Sequence, residues 1–208
     1  MTAKTPKKET QARTKETRKL LLEAAEQIFV RDGYEKAQVA QIAAAAGRTK
    51  GAVYSHFKNK EDFFLALFEE RSAQRASTLV ERMKTTKTKS ENLQRFREFY
   101  SAQASDRAWA LLTLEFKLFA IRHPDSKRRL RQAYRMTRPA NLTESFHQHF
   151  GAQAANDKVG IEGAVAALGP ILSGLVLESL FEPVLLSETR LALILEQILD
   201  ALIVPERG

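Results

Sequence analysis

The chain has no cysteine among its 208 residues. Disulfides, thiolate metal sites and a cysteine nucleophile are therefore excluded, and a reducing compartment is compatible with the sequence. Glycine is scarce, with nine residues, and none of them form the glycine loop that cradles phosphates. Long apolar runs are absent too. The longest uncharged stretch, Gly163–Leu177, has fifteen residues and contains Gly169-Pro170, short of the about 20 residues of an ordinary membrane span. Residues 1–19 are polar and basic with no apolar segment, so no signal peptide is read. Only four histidines occur. His147 and His149 stand two apart and face different sides of a helix, unlike a metal-binding i, i+4 pair. His123 precedes Pro124 at an expected helix end, where a cation is favourable. These absences predict a soluble cytoplasmic protein that is not an enzyme and has no cofactor, metal or membrane partner.

What is present is helix-forming and unevenly charged. Hydrophobic residues make up 44% of the chain, ample for a buried core at this length. Residues 1–60 hold 13 Lys+Arg against 6 Asp+Glu, while the remainder holds 20 against 19. A basic end on a near-neutral body points to a polyanion, nucleic acid before membrane. The bland alternative is a solvated lysine-rich tail.

Residues 1–14 have too few apolar side chains to bury and read as a disordered basic arm. From Lys15 the pattern is helical, with Leu21, Ala25, Ile28 and Phe29 on one face and Asp32-Gly33 as the stop. A short alanine-rich helix follows, with Val39, Ile42 and Ala46 inward and Gly47 at its end. Thr49 can cap a third helix from Lys50 to about Phe57, and Asn59 a fourth to about Lys84, with Glu61 and Asp62 at its positive end. Beyond it the spacing predicts helices over Glu91–Ser105, Asp106–Arg122, Asp125–Phe150 (bent at Pro139), Ile161–Phe181 and Glu188–Val204. The fold class is all-α, with about nine helices and no convincing strand.

Two short helices joined by a tight turn, behind a longer one, make a helix-turn-helix unit, whose second helix enters the DNA major groove. The composition of Lys50–Phe57 suits that role. Val53 and Phe57 anchor the inner side. Gly51, Ala52 and Ser55 are small enough for a backbone to approach DNA closely. Thr49, Lys50, Tyr54, His56 and Lys60 offer hydroxyls and cations to phosphates.

The stretch "LEAAEQIFVRDGYEKAQVAQIAAAAGRTKGAVYSHFKNKEDFFLALFE" resembles the DNA-binding domain of the TetR/AcrR family of bacterial transcriptional regulators. The resemblance covers residues 15–75 and places the helix-turn-helix at 38–57. It implies that Lys50, Gly51, Ala52, Tyr54, Ser55 and His56 meet DNA, flanked by Thr49 and Lys60. Gln38 stands where the family often has Thr or Ser and can reach a phosphate with its longer arm. Arg48 stands where an apolar residue is common and is shaped to read guanine or a phosphate.

The resemblance also implies that residues 76–208 form a larger helical domain for ligand binding and dimerisation. Trp109, Leu112, Phe116 and Phe119 are candidates to line an apolar pocket, with Tyr134, Met136 and Arg138 as polar additions. Simple core packing is the competing reading. Ile161–Phe181 is too apolar to leave a face in water, and Gly163, Gly169, Ser173 and Gly174 permit close helix approach. With Leu191, Ile194, Leu195, Ile198 and Leu202 of the last helix, Gly174 and Leu175 are expected in a homodimer interface. The expected function is a ligand-responsive dimeric repressor on a palindromic double-stranded operator, with a small apolar or amphipathic effector. A helical small-molecule-binding protein with weak or lost DNA binding is the alternative.

Overall fold

The computed structural model describes residues 6–125, 128, 131–132, 142–151 and 160–203. Among them are nine helices and no strand: α1 (Pro6–Lys36), α2 (Val39–Ala45), α3 (Lys50–His56), α4 (Lys60–Lys84), α5 (Lys89–Ala104), α6 (Arg107–Arg122), α7 (Leu142–Phe150), α8 (Gly160–Phe181) and α9 (Glu188–Ile203). Of the expected long helix over 125–150, residues 125, 128, 131 and 132 and then Leu142–Phe150 are helical, and the bend at Pro139 lies outside the described residues.

One expectation changes at the N-terminus. Residues 6–14 belong to α1 instead of a disordered arm. Pro6 suits the first helical position, where its missing N–H costs nothing, and the Lys, Glu, Gln, Ala and Arg that follow are good helix formers. Lack of apolar residues removes burial from this segment, but not helicity.

Gly33 (φ 73, ψ 167) interrupts α1 with a left-handed backbone that glycine adopts without strain. The turn carries Tyr34 back into the interior, where its ring lies 4.8 Å from Phe64 and 4.3 Å from Phe119. Opposite it, a Glu115 carboxylate oxygen accepts a hydrogen bond from the Tyr34 backbone N–H at 3.2 Å. Gly47 (φ 63) makes the corresponding exit from α2. Thr49 Oγ1 then accepts from the Ala52 N–H at 3.2 Å and starts α3, and Asn59 Oδ1 accepts from the Asp62 N–H at 2.8 Å and starts α4. Each cap satisfies a backbone donor that the first turn leaves unpaired.

Two hydrophobic cores result. The first joins Leu21, Ile28 and Phe29 of α1, Ile42 of α2, Val53 of α3 and Phe63, Phe64 and Phe68 of α4 to Leu112, Phe116 and Phe119 of α6. The second gathers Met83, Phe96, Phe146, Phe150, Leu168, Leu172, Val176, Leu195 and Leu199 from α4, α5, α7, α8 and α9. Between them Arg71 of α4 reaches Glu26 of α1 at 3.1 Å and Asp106, the N-cap of α6, at 3.3 Å. Arg75 reaches Asp106 at 2.8 Å with its guanidinium 4.8 Å from the Trp109 ring. Burial lowers the Arg75 pKa to about 10, against the opposing pull of Asp106, so it stays charged at neutral pH.

Candidate nucleic-acid interface and interior cavity

The outer side of α3 is open to solvent. Lys50, Gly51, Tyr54 and Ser55 are exposed, Ala52 and His56 half-buried, while Val53 and Phe57 are buried as anchors. Tyr54 keeps 47% of its surface accessible, and the Lys50 ammonium lies 5.9 Å from its ring centroid. Ser55 Oγ donates to the Ala52 carbonyl at 2.8 Å, which leaves its lone pairs outward. A Cβ built on Gly51 meets only Thr49 Oγ1, at 3.8 Å. The fold therefore does not require glycine there, although glycine inside a helix costs about 1 kcal/mol relative to alanine. Close approach of an outside backbone is a reason to accept that cost.

On the flanks, Gln38 is the exposed N-cap residue of α2 and makes no side-chain capping bond. Arg48 is exposed, with Nη1 donating to the Gly47 carbonyl at 3.1 Å. Thr49 has its hydroxyl engaged in the α3 cap. Lys60 departs from the expectation of a phosphate contact. Its Nζ donates to the carbonyls of Tyr34, Glu35 and Ala37 at 2.8, 3.0 and 3.2 Å and sits 4.6 Å from the Tyr34 ring centroid. An ammonium has three donors, and all three are spent closing the end of α1.

A cavity of about 940 Å³ opens between α4, α5, α6, α7 and α8, at the large end of ordinary ligand pockets, roughly 300–1,000 Å³. Trp109 lines it. Leu112, Phe116 and Phe119 do not. They lie on the other side of α6 in the first core, with Phe116 stacked on Phe68 at 4.1 Å and Phe119 against Tyr34. α6 is apolar on two sides, and the sequence does not say which side meets the hollow. Tyr134, Met136 and Arg138 lie outside the described residues.

The cavity face of α6 is instead Trp109, Ala110, Thr113 and Lys117. Thr113 and Lys117 were missed by the sequence reading, although two polar residues four apart in an apolar helix are a usable signal of a polar stripe. Thr113 is buried and its Oγ1 has no hydrogen-bond partner. Lys117 is half-buried, and burial pushes its ammonium below the ordinary lysine range.

The residues expected at a dimer interface divide. Leu191 and Leu195 are 3% and 1% exposed, buried within the chain, with Leu195 in the second core; that correction follows because α9 needs one stripe for its own fold. Leu175, Ile194, Ile198 and Leu202 are half-buried, and Gly174 is exposed with nothing within 4 Å of an added Cβ. Phe181, Val184, Leu185 and Leu193 are large exposed apolar residues in the same region. Glu162–Phe181 is long and apolar enough to cross a membrane by length and composition, with 22% of it buried within the chain.

Residues 21–67 match the family described as bacterial regulatory proteins, tetR family. A fatty acid metabolism regulator protein of Bacillus subtilis is 34% identical over 94 residues, 45% of this chain and 48% of that protein. The transcriptional repressor AcnR of Corynebacterium efficiens is 42% identical over 65 residues, 31% of this chain and 35% of that protein. The chain thus matches about half or less of the length of these curated relatives. The crystal structure of the transcriptional regulator FadR from Bacillus subtilis, in complex with stearoyl-CoA, superposes with a TM-score of 0.65 over 88% of this chain and 96% of that one, at 22% identity. The named relatives are regulators, and the helix-turn-helix followed by a larger helical domain is the shared fold. By that match, residues 21–67 form a tetR-family DNA-binding domain, and over the rest of the chain the likeness to the solved regulator is one of fold.

Proposed function

We propose that this protein is a cytoplasmic transcriptional repressor that binds a palindromic operator as a two-fold dimer and releases it when a small apolar or amphipathic effector enters the cavity. The observation that carries the reading is the outer face of α3. It is exposed, holds Lys50, Tyr54 and Ser55, and contains a glycine that the fold itself does not need. Arg48, Thr49, Ala52, His56 and Gln38 complete the proposed contacts, and Lys60 supports them from behind as a structural cap. The repressor name of the Corynebacterium relative supports the sign of regulation.

Dimerisation is supported by the uncovered side of α8 and by Leu193 of α9. A second copy docked there gives α8 an apolar partner and places two recognition helices for half-sites about 34–36 Å apart. The effector reading is supported by the cavity, and the stearoyl-CoA bound by the Bacillus structure is consistent with a long apolar occupant. α4 starts next to α3 and lines the cavity from Phe68 to Met83. An effector that prefers one placement of α4 therefore biases the spacing of the recognition helices, and operator DNA must weaken effector binding by the same factor.

The test is selection of bound sequences from a random double-stranded pool by the purified full-length protein. A palindromic consensus is expected. Enrichment of no sequence, with long-chain compounds still binding, would leave the ligand-binding protein without DNA function as the correct reading.

A further inference from the structure

The cavity is long in one direction. Phe68, Ser72, Ala76, Leu79 and Met83 of α4 all line it, and 15 residues of helix span about 22 Å. Its distal end holds Met83, Phe96, Phe146 and Phe150. Its proximal end, nearest the DNA-binding helices, holds Phe68, whose ring stacks on that of Phe116 at 4.1 Å, and Lys117 follows one residue on. The two ends differ in chemistry. Among the described lining residues Asp106 is the only carboxylate, and it is engaged by Arg71 and Arg75. Lys117 therefore faces the cavity with no acid to pair with. Four residues before it, the buried Thr113 hydroxyl also lacks a partner. A half-buried cation and an unpaired hydroxyl on one face of a helix are costly unless something satisfies them.

We infer that the cavity takes a long-chain carboxylate, its apolar chain lying along α4 toward Phe96 and Phe150 and its carboxylate held at the proximal end by the Lys117 ammonium and the Thr113 hydroxyl. The inference rests on the effector reading of the cavity and adds the charge and the orientation of the ligand. Lys84, Lys87 and Lys89 at the distal end are exposed, and Lys84 is already paired with Glu81 at 2.6 Å. Hydrated surface ammonium groups add little to binding an anion. Lys117 is poorly hydrated and unpaired, so the same anion gains most there. The placement also has a consequence for signalling. Glu115, on the same helix as Lys117, holds the Gly33–Tyr34 turn of the DNA-binding helices. An anion pulling on one side of α6 acts on the element that grips that turn on the other.

The experiment compares hexadecanoate, 1-hexadecanol and palmitoyl-CoA by titration against the full-length protein, read by Trp109 fluorescence and calorimetry. Hexadecanoate is expected to bind about ten- to hundred-fold tighter than the alcohol, the range of one charge-assisted contact. Lys117→Met should remove that preference by weakening the carboxylate alone, with alcohol binding serving as the check that the variant is folded. Thr113→Val should reduce it in part, and palmitoyl-CoA, which has no free carboxylate, should be insensitive to Lys117. Equal binding of carboxylate and alcohol by the unaltered protein overturns the inference without any variant. So does a preference that survives Lys117→Met and is lost in Lys87→Ala/Lys89→Ala, which would put the anion at the distal end. If none of the three compounds binds, the effector reading of the cavity fails with it for long-chain ligands.

Discussion

Lys60 and Lys50 stand ten residues apart, at the starts of α4 and α3, and make opposite predictions. In Lys60→Ala the carbonyls of Tyr34, Glu35 and Ala37 lose their common donor. Glu35 is exposed and its carbonyl regains water, whereas the bonds to Tyr34 and Ala37 are part-buried. Two part-buried carbonyls left without a donor cost about 1 kcal/mol each, and the lost contact over the Tyr34 ring adds about 0.5–1 kcal/mol. The variant should therefore be less stable by about 2–3 kcal/mol, a fall in Tm of roughly 5–10 °C for a chain of this size. Thermal melts followed by circular dichroism at one fixed protein concentration measure it, because melting depends on concentration wherever copies of a chain associate. At a temperature where both proteins are folded, operator affinity and its salt dependence should stay close to those of the parent. Lys60→Arg should recover only part of the loss, since a planar guanidinium does not reproduce three diverging donors. A Lys60→Ala protein that melts with the parent but loses operator affinity and salt dependence would refute the cap and restore the phosphate contact.

Lys50→Ala should do the reverse, leaving the melt unchanged while the slope of log affinity against log salt falls by about 1 per half-site; an unchanged slope removes Lys50 from the contacts. Gly33→Ala combines a left-handed backbone with a Cβ 3.1 Å from a Glu115 carboxylate oxygen, and urea unfolding should show a loss of about 1–2 kcal/mol. Leu193→Glu and Leu195→Ala separate assembly from folding. The first, at a site 56% exposed, should yield a folded monomer in sedimentation, while the second, at 1% exposed, should lose about 2–5 kcal/mol of stability. A Leu193→Glu protein that remains dimeric would move the interface elsewhere.

The local rules that were strong in the sequence are those that depend on few neighbours. Thr49 and Asn59 cap α3 and α4 as their residue types and positions predict, because a cap is settled within four residues of chain. Gly33 breaks α1 and Gly47 ends α2 for the same reason. What the sequence did not carry is which of two chemically similar faces meets which neighbour. Phe116 and Phe119 look like pocket residues until α1 and α4 are seen packed on them. Leu191 and Leu195 look like interface residues until the interior of the same chain claims them. Lys60 reads as a surface cation because its three acceptors lie 23–26 residues earlier in the chain, beyond the reach of any local pattern. Thr113 and Lys117 were overlooked because they break an apolar stripe, and a break in a pattern carries meaning only once a hollow is known to lie beside it.

The sharing of α6 between the two cores bears on how the protein is made. Leu112, Phe116, Phe119 and Ala120 complete the packing of the DNA-binding helices, yet they are synthesised some 45 residues after the helix-turn-helix region ends at about residue 75. At roughly 5–20 residues per second that is a wait of about 2–9 s. During it Tyr34, Phe64 and Phe68 have no α6 rings to pack against. A fragment cut at residue 75 would be left in that state permanently. The helix that walls the cavity is therefore also the one that completes the core behind α3, and neither is finished without it.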